Sequence, residues 1–432
     1  MTDQPLVLNE GQQQAADNVF HFLFDTEKEF SITGPAGTGK TTLMSYIMKT
    51  VIKEYKDAVD LMGAKGVVYE FHLTATTNKA ADVLSQSTGL PVTTIHSFLG
   101  LRVRDDYKTG KQTLMRTRNY KVYSNIILFV DEASMVDTAL YEHLMDALDD
   151  TCKVIYLGDH CQMTPVNEDL SPVYRNPKYS CPLVQPMRNA DQPALMSLCS
   201  QLRQTVETGV FKPIRGVSGV IEYLDEDTAH DFMERTFLHE NPGCRALAFS
   251  NVRVQEYLSY IREIRGYETF FQPHERVVNN TSFDIGGDKI IPPESLYTIS
   301  EVDHTVNSQI FKSQGDDFEI QHYRVRLNHF ENAWFNVPVD FQHVRDVKNV
   351  MARRKDWAPM FDVRDTFIDL RGSDAATVYK AQGSSYDTVL LDLNDINRAH
   401  TLDQAARLLY VGASRARQKL YLWGELSGRF FL

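Results

Sequence analysis

The chain has 432 residues, 43% of them hydrophobic, which is enough apolar material for several cores and too much chain for one compact lobe. A formal net charge of -12 excludes a protein that coats nucleic acid by bulk electrostatics, so any phosphate contact must lie in grooves where Lys and Arg are locally concentrated. The five cysteines (Cys152, Cys161, Cys181, Cys199, Cys244) form no CxxC pair, no apolar run approaches membrane length, and the N-terminal MTDQPLVLNEGQQQ lacks a signal pattern; a cytoplasmic protein with no membrane contact is expected.

From residue 8 to about 190, short runs rich in β-branched residues alternate with amphipathic stretches, the pattern of βαβ units on a parallel sheet. The opening LNEGQ offers an Asn9 to Gln12 capping arrangement at the start of a helix. The strand EFSIT then leads into GPAGTGKT, Gly34 to Thr41, and the helix TTLMSYIMKTVI. This is a phosphate loop in the context that the motif requires. Gly37 and Gly39 let the backbone curl so that its N–H groups face phosphate. Lys40 neutralises phosphate oxygens, Thr41 offers a hydroxyl to Mg2+, and Thr38 and Thr42 complete the nucleotide-binding run.

After the strand VVYEFHLTA comes a basic stretch, 102 to 121, with seven Lys or Arg against two Asp; its centre, DDYKTGK, is turn-prone, so a β-hairpin inserted over 100–122 is expected. The strand NIILFV delivers Asp131 and Glu132 at its end. Asp131 suits a metal held through water, and Glu132 suits a base for attacking water, although two acids at a helix start also serve as caps. The next strand, KVIYLGD, ends in GDHCQMTPV and sets Gln162 on the phosphate side of the sheet, as a γ-phosphate sensor or an ordinary loop residue.

A second alternation begins at VIEYL and CRALAFS and resumes at DAATV, TVLLDL and KLYLW. Between them, 271–370 reads as an insert: short strand-like runs broken by Gly, Pro and Asn, then a charged helical section from about 339 to 357 with Arg345, Lys348, Arg353, Arg354 and Lys355. A small β-barrel followed by a helical protrusion is expected there. The segment YVGASRAR presents Arg415 and Arg417 as candidates for an arginine reaching phosphate, against the alternative of a helix-end cation. The domains implied are 1–190, a second lobe from 191–270 and 371–432, and the insert 271–370.

In this order the motifs resemble those of superfamily 1B DNA helicases of the RecD-like kind, over nearly the whole chain and most strongly in the motifs. The resemblance implies an α/β protein with two RecA-like parallel-sheet domains, a hairpin inserted in the first, and a small barrel with a helical tower in the second. It gives Gln12 the role of reading adenine and assigns Arg188, in PLVQPMRNA, to the γ-phosphate opposite Arg415. Thr77, in LTATTNKAADVL, and His96 and Phe98, in TTIHSFLG, take DNA contacts, with a core aromatic as the alternative for Phe98. Asn251, ending ALAFSN, and Thr377 and Lys380, in TVYKAQGSS, do the same from the second lobe, while Gln382 and Gly383 couple nucleotide to DNA. Tyr379 stands where such helicases commonly have histidine. The hairpin resembles a strand-separating pin, with Val103, Tyr107, Leu114 and Met115 as its apolar tip.

The expected function is an ATP- and Mg2+-dependent DNA helicase acting on single-stranded and forked duplex DNA. The resemblance implies 5′ to 3′ travel by a monomer, with replication or single-strand-binding proteins as candidate partners. The rivals are a nucleic-acid-stimulated ATPase that acts on RNA or remodels protein–DNA complexes, a DNA clamp using hydrolysis only for release, and a phosphate-loop kinase.

Overall fold

A computed structural model of the chain describes residues 8–431 apart from 36, 64–69, 107–108, 110–111, 166–167, 176–178, 185–191 and 287–288. The chain folds as two compact units. One comprises residues up to 102, 116–225 and 381–432, the other 103–115 and 226–380.

The first unit is built on a six-stranded parallel sheet. Its spatial order is Val92–Thr94, Glu70–Ala75, Ile126–Asp131, Lys153–Gly158, Glu29–Thr33, Ser180–Pro182. All of Ile126–Val130 and Lys153–Gly158 is buried, which is why these strands read as unbroken apolar runs rather than as alternation. The helix Glu10–Phe24 starts with a capping box between Asn9 and Gln12 and lays Val19, Phe22 and Leu23 against Phe30, Ile32, Leu43 and Met44. Each such side chain contributes roughly 1.5–3 kcal/mol by leaving water. The apolar run after the phosphate loop forms Lys40–Tyr46, a π-helical turn Ile47–Val51 and Ile52–Leu61, a register change that simple 3.6 periodicity does not reveal.

The C-terminal segment adds to this unit two parallel strands, Tyr386–Asp392 and Ala416–Trp423, and the second of these pairs in parallel with Ile221–Leu224 as well. The helix Leu402–Ala413 buries Ala405, Ala406 and Leu408 through Ala413 and packs on the helix Pro193–Thr208.

In the second unit, Cys244–Ala248 pairs in parallel with Ala375–Thr377 and leads into the helix Asn251–Ile264. The insert is an antiparallel sheet in the order Phe335–Pro338, Asp316–Leu327, Leu296–Ser313, Arg276–Asn279, Leu370–Gly372. Val277, Ile299, Tyr323, Val325, Leu327 and Val337 fill its core. Short strands were expected here. Instead Leu296–Ser313 and Asp316–Leu327 form one long hairpin of 18 and 12 residues, whose register shifts twice between Ile299 and Asn307. Its turn places Gln314 at φ 48° and Gly315 at φ 91°, the double positive φ that matches strand twist. The far end is covered by the helices Phe341–Arg353 and Trp357–Thr366, whose Val344, Val347, Met351 and Val363 pack on Phe311 and Ile320.

Leu101–Asp105 and Gln112–Arg116 pair as the expected ribbon. Val103 and Met115 are exposed at 56% and 43%, and Leu114 is half-buried. Tyr107 lies outside the described residues. Among the described residues no helix is long and apolar enough to cross a membrane.

Candidate nucleotide-hydrolysis site

The strand Glu29–Thr33 ends at the loop, where the Gly34 N–H donates to the Gly158 carbonyl at 3.1 Å. Gly37 and Gly39 sit at φ 85° and 75°, and a Cβ on Gly39 would lie 2.4 Å from Gln12 Nε2. Gln12 is buried, donates from Nε2 to the carbonyls of Thr38 (3.1 Å) and Gly39 (3.4 Å), and accepts from the Asn9 N–H at 3.0 Å. Its amide therefore braces the loop through the same capping box that starts the first helix. Thr38 is buried and donates from its hydroxyl to the Pro35 carbonyl at 3.0 Å. Lys40 donates to the carbonyls of Gly34 (2.8 Å) and Pro35 (3.0 Å), and burial pushes its ammonium pKa down against the pull of Asp159, Glu132 and Asp131.

The strand Ile126–Asp131, one strand further across the sheet beyond Lys153–Gly158, carries the two carboxylates at its end. Glu132 occupies the left-handed region at φ 52°, ψ 41°, a strained position for a side chain with a Cβ, and its N–H donates to Asp131 Oδ1 at 2.9 Å. Burial first and the Glu132 charge second hold the Asp131 carboxyl well above the usual carboxylate range. Gln382 donates from Nε2 to Glu132 Oε2 and to Ser134 Oγ, both at 3.3 Å, and Gly383 follows at φ 76°. Among the described residues, Gln382 Oε1, Gln162 Oε1 and the hydroxyl of Tyr174 are buried without a hydrogen-bond partner. Buried polar atoms left in this state are expected where a ligand or water completes the set.

Arg415 is 3% exposed, and its guanidinium donates to Val411 O (3.1 Å), Ser384 O (3.0 Å) and Ser414 Oγ (2.8 Å). All these partners are neutral, so its charge remains available to an anion. Arg417, by contrast, pairs at the surface with Asp387 at 3.0 Å. Lys40, Thr41, Thr42, Asp131, Glu132, Gln162, Gly383 and Arg415 line one cavity of about 310 Å³ with Gly37 and Gly39. Its donor set fits Mg2+: a hydroxyl from Thr41 and a carboxylate from Asp131 are the hard oxygen ligands that ion takes. Arg188 lies outside the described residues.

Sequence reasoning missed the scaffold behind this cavity. Asp159 is fully buried and accepts from the Arg203 guanidinium, from the Tyr410 hydroxyl (2.6 Å) and from the Cys161 N–H (3.1 Å). Arg407 donates to the carbonyls of His160 and Gln162, both at 2.7 Å. The helix that precedes Arg415 is thus tied to the loop that carries Gln162. The GD of GDHCQ was the only available signal; Arg203, Arg407 and Tyr410 lie in amphipathic helices that look ordinary. Asp159, His160 and Cys161 gather their ligand atoms within 4.8 Å, yet Asp159 is already committed to three donors. A larger cavity of about 610 Å³ adjoins the loop at Gly34 and Pro35 and reaches His160, Arg203 and Tyr410.

The residues expected to touch nucleic acid are held as follows. Thr77 caps the helix Asn78–Thr88 by accepting from the Ala80 N–H at 3.2 Å. Burial lowers the pKa of His96. Phe98 stacks on Tyr123 with ring centroids 4.4 Å apart at 14°, with His72 on its flank at 5.0 Å and Lys121 over the Tyr123 ring at 4.6 Å. In the second unit Asn251 is exposed and accepts from Arg371 at 3.0 Å. Thr377 is buried and accepts from the Lys380 N–H at 3.3 Å. The Lys380 ammonium is already spent on Glu294 (2.6 Å) and Asn280, which the sequence did not indicate.

Residues 7–204 match the AAA domain family, and residues 372–423 match the UvrD-like helicase C-terminal domain family. The chain is 23% identical to the ATP-dependent DNA helicase dda of Enterobacteria phage T4, over 96% of this chain and 98% of that protein. It is 30% identical to the RecBCD enzyme subunit RecD of Buchnera aphidicola, over 31% of this chain and 23% of that one. In fold it resembles Pif1 helicase, with a TM-score of 0.52 at 13% identity to a structure described for DNA unwinding at forked duplex, covering 99% of this chain and 94% of that one. A Bacteroides Pif1 in complex with ADP-AlF3 and single-stranded DNA gives a TM-score of 0.51 over the same shares. The α/β fold with two RecA-like domains is that of these helicases.

Proposed function

We propose that this chain, a member of the superfamily 1B DNA helicases, uses ATP hydrolysis to travel along single-stranded DNA and to separate duplex ahead of it. The observation that carries this is the single cavity in which Lys40, Thr41, Asp131, Glu132, Gln162 and Arg415 meet. Phosphoryl transfer to water asks for charge neutralisation and an in-line nucleophile. Lys40 exchanges its loop carbonyls for phosphate oxygens. Glu132, aimed by its left-handed backbone, orients water and takes its proton, and Gln382 fixes the carboxylate's second oxygen. Arg415 stabilises the charge on the transferred group. Thr41 and Asp131 would hold Mg2+, which supplies further charge neutralisation at the phosphates.

The link from chemistry to movement is the helix Leu402–Ala413. Arg407 and Tyr410 fasten it to the loop of Gln162, so a γ-phosphate sensed by Gln162 is felt by the segment that ends in Arg415. Nucleic acid is gripped through the Phe98–Tyr123 aromatic surface, where stacking is tolerant of base sequence, and through Asn251, and the exposed Val103 and Met115 serve as the separating wedge. Travel is 5′ to 3′.

The test is unwinding of tailed DNA duplexes of each polarity, with Lys40→Ala as the control. ATP-dependent separation of the 5′-tailed substrate, absent in Lys40→Ala, is expected. Strand separation confined to 3′ tails would reverse the direction, and DNA-stimulated hydrolysis with no separation at any enzyme excess would leave only a remodelling ATPase.

A further inference from the structure

The second unit contains a concentration of cations that the nucleotide chemistry does not use. The helix Phe341–Arg353 is anchored by Val344, Val347 and Met351, and Arg345 and Lys348 flank that buried face. Arg364 from Trp357–Thr366 and Arg371 from Leu370–Gly372 converge on the same small pit, of about 40 Å³.

The charges there do not balance. Arg371 contacts Asp369 at 3.3 Å, and Arg364 pairs with its neighbour Asp365 at 2.7 Å. Asp369 also accepts from Asn280 at 2.6 Å. Among the described residues, Lys348 has no hydrogen bond or ion pair, and the buried Nε of Arg345 has no partner. Burial pushes the Lys348 ammonium pKa down; Asp369 opposes this, and the charges of Arg364, Arg345 and Arg371 add to it. Cations assembled at such a cost, with too few acids to repay it, are the mark of a site completed by an external anion.

We propose that Arg345, Lys348, Arg364 and Arg371 form a site for one backbone phosphate of single-stranded DNA. Four cations that line one pit suit the oxygens of a phosphate. Arg371 also donates from Nη1 to Asn251 Oδ1 at 3.0 Å, at the start of the helix Asn251–Ile264, so the pit continues the surface to which the motif order gives nucleic acid. Fork-shaped guanidiniums set the orientation of the phosphate, and the half-buried Lys348 ammonium, a compact charge on a flexible stem, supplies point charge. The inference rests on the helicase reading, and it extends the DNA track into the insert.

The experiment is fluorescence anisotropy of labelled oligo-dT with the full-length protein across a salt series, for wild type, Lys348→Met and Arg345→Met. Affinity falling several-fold in each variant, with the slope of log K against log salt flattened by about 0.7 for each phosphate that is no longer neutralised, is expected. Thermal unfolding controls for folding: removal of an unpaired cation leaves the melting temperature unchanged or higher, whereas a structural role would lower it. Affinity and slope equal to wild type in both variants would overturn the assignment. So would stabilisation of wild type but not Lys348→Met by inorganic pyrophosphate while oligo-dT binding stays equal, since the pit would then belong to free anions. Wild type that fails to bind oligo-dT at all would defeat the helicase reading itself.

Discussion

Arg203→Met perturbs the scaffold behind the cleft in a way the structure quantifies. The Asp159 side chain is fully buried, and Arg203, 16% exposed, is its one cationic partner among the described residues; the remaining donors are the Tyr410 hydroxyl and the Cys161 N–H. Removing the guanidinium leaves a buried carboxylate with two neutral donors, a loss of about 3–5 kcal/mol, a large share of the roughly 5–15 kcal/mol that stabilises a typical domain. Asp159→Asn keeps an acceptor for Tyr410 and leaves Arg203 its contact with Glu207 at 3.2 Å, so its cost is smaller, about 1–3 kcal/mol. The double variant orphans no charge, and its cost falls short of the sum of the two by about 1.5 kcal/mol or more. Urea unfolding followed by far-UV circular dichroism measures all four proteins. Costs that add within about 0.5 kcal/mol would refute the reasoning, because two groups that share one buried charge network cannot be independent.

Glu132→Gln keeps ATP binding, read by nucleotide fluorescence, while turnover falls by about 10²–10⁴; wild-type turnover would remove it from the role of base. Arg415→Ala lowers kcat by roughly 10³–10⁵, and Arg415→Lys recovers little of it, because an ammonium cannot reproduce the fork held by Ser384 and Ser414. Asp131, raised to about 7 by burial and Glu132, is costly to ionise in the folded chain, so stability of the metal-free protein rises as pH falls from that value towards the ordinary carboxylate range. Mg2+ affinity, which needs the ionised group, falls over the same interval, and Asp131→Asn flattens the stability profile in a pH series of melts. Gly39→Ala combines a positive φ with a Cβ 2.4 Å from Gln12 Nε2, so nucleotide affinity measured by calorimetry falls while far-UV dichroism is retained.

What the sequence made legible was whatever depends on local order. The phosphate loop, the strand ends that carry Asp131 and Glu132, and the position of Gln162 follow from apolar runs and glycines, and all meet at one cavity. The insert was less legible. A hairpin of 18 and 12 residues reads poorly when much of it is exposed on both faces and two register shifts break the alternation. The π-helical turn at Ile47–Val51 is equally silent, since one extra residue per turn leaves composition unchanged. Side-chain partnerships across long sequence separations were beyond reach: nothing around Tyr410 announces a bond to Asp159, 251 positions away. Lys380 illustrates the converse, a motif cation whose charge is already engaged by Glu294.

The resting posture of Lys40 has a kinetic corollary. An ammonium that already satisfies itself on the carbonyls of Gly34 and Pro35 gains only the difference between two sets of hydrogen bonds when nucleotide arrives. Capture is thereby moderated, and discharge of spent diphosphate is eased by the same reserve of ready-made contacts. A motor that must repeat its cycle at every step is served better by a lysine with somewhere to return than by one that holds its fuel as tightly as charge allows.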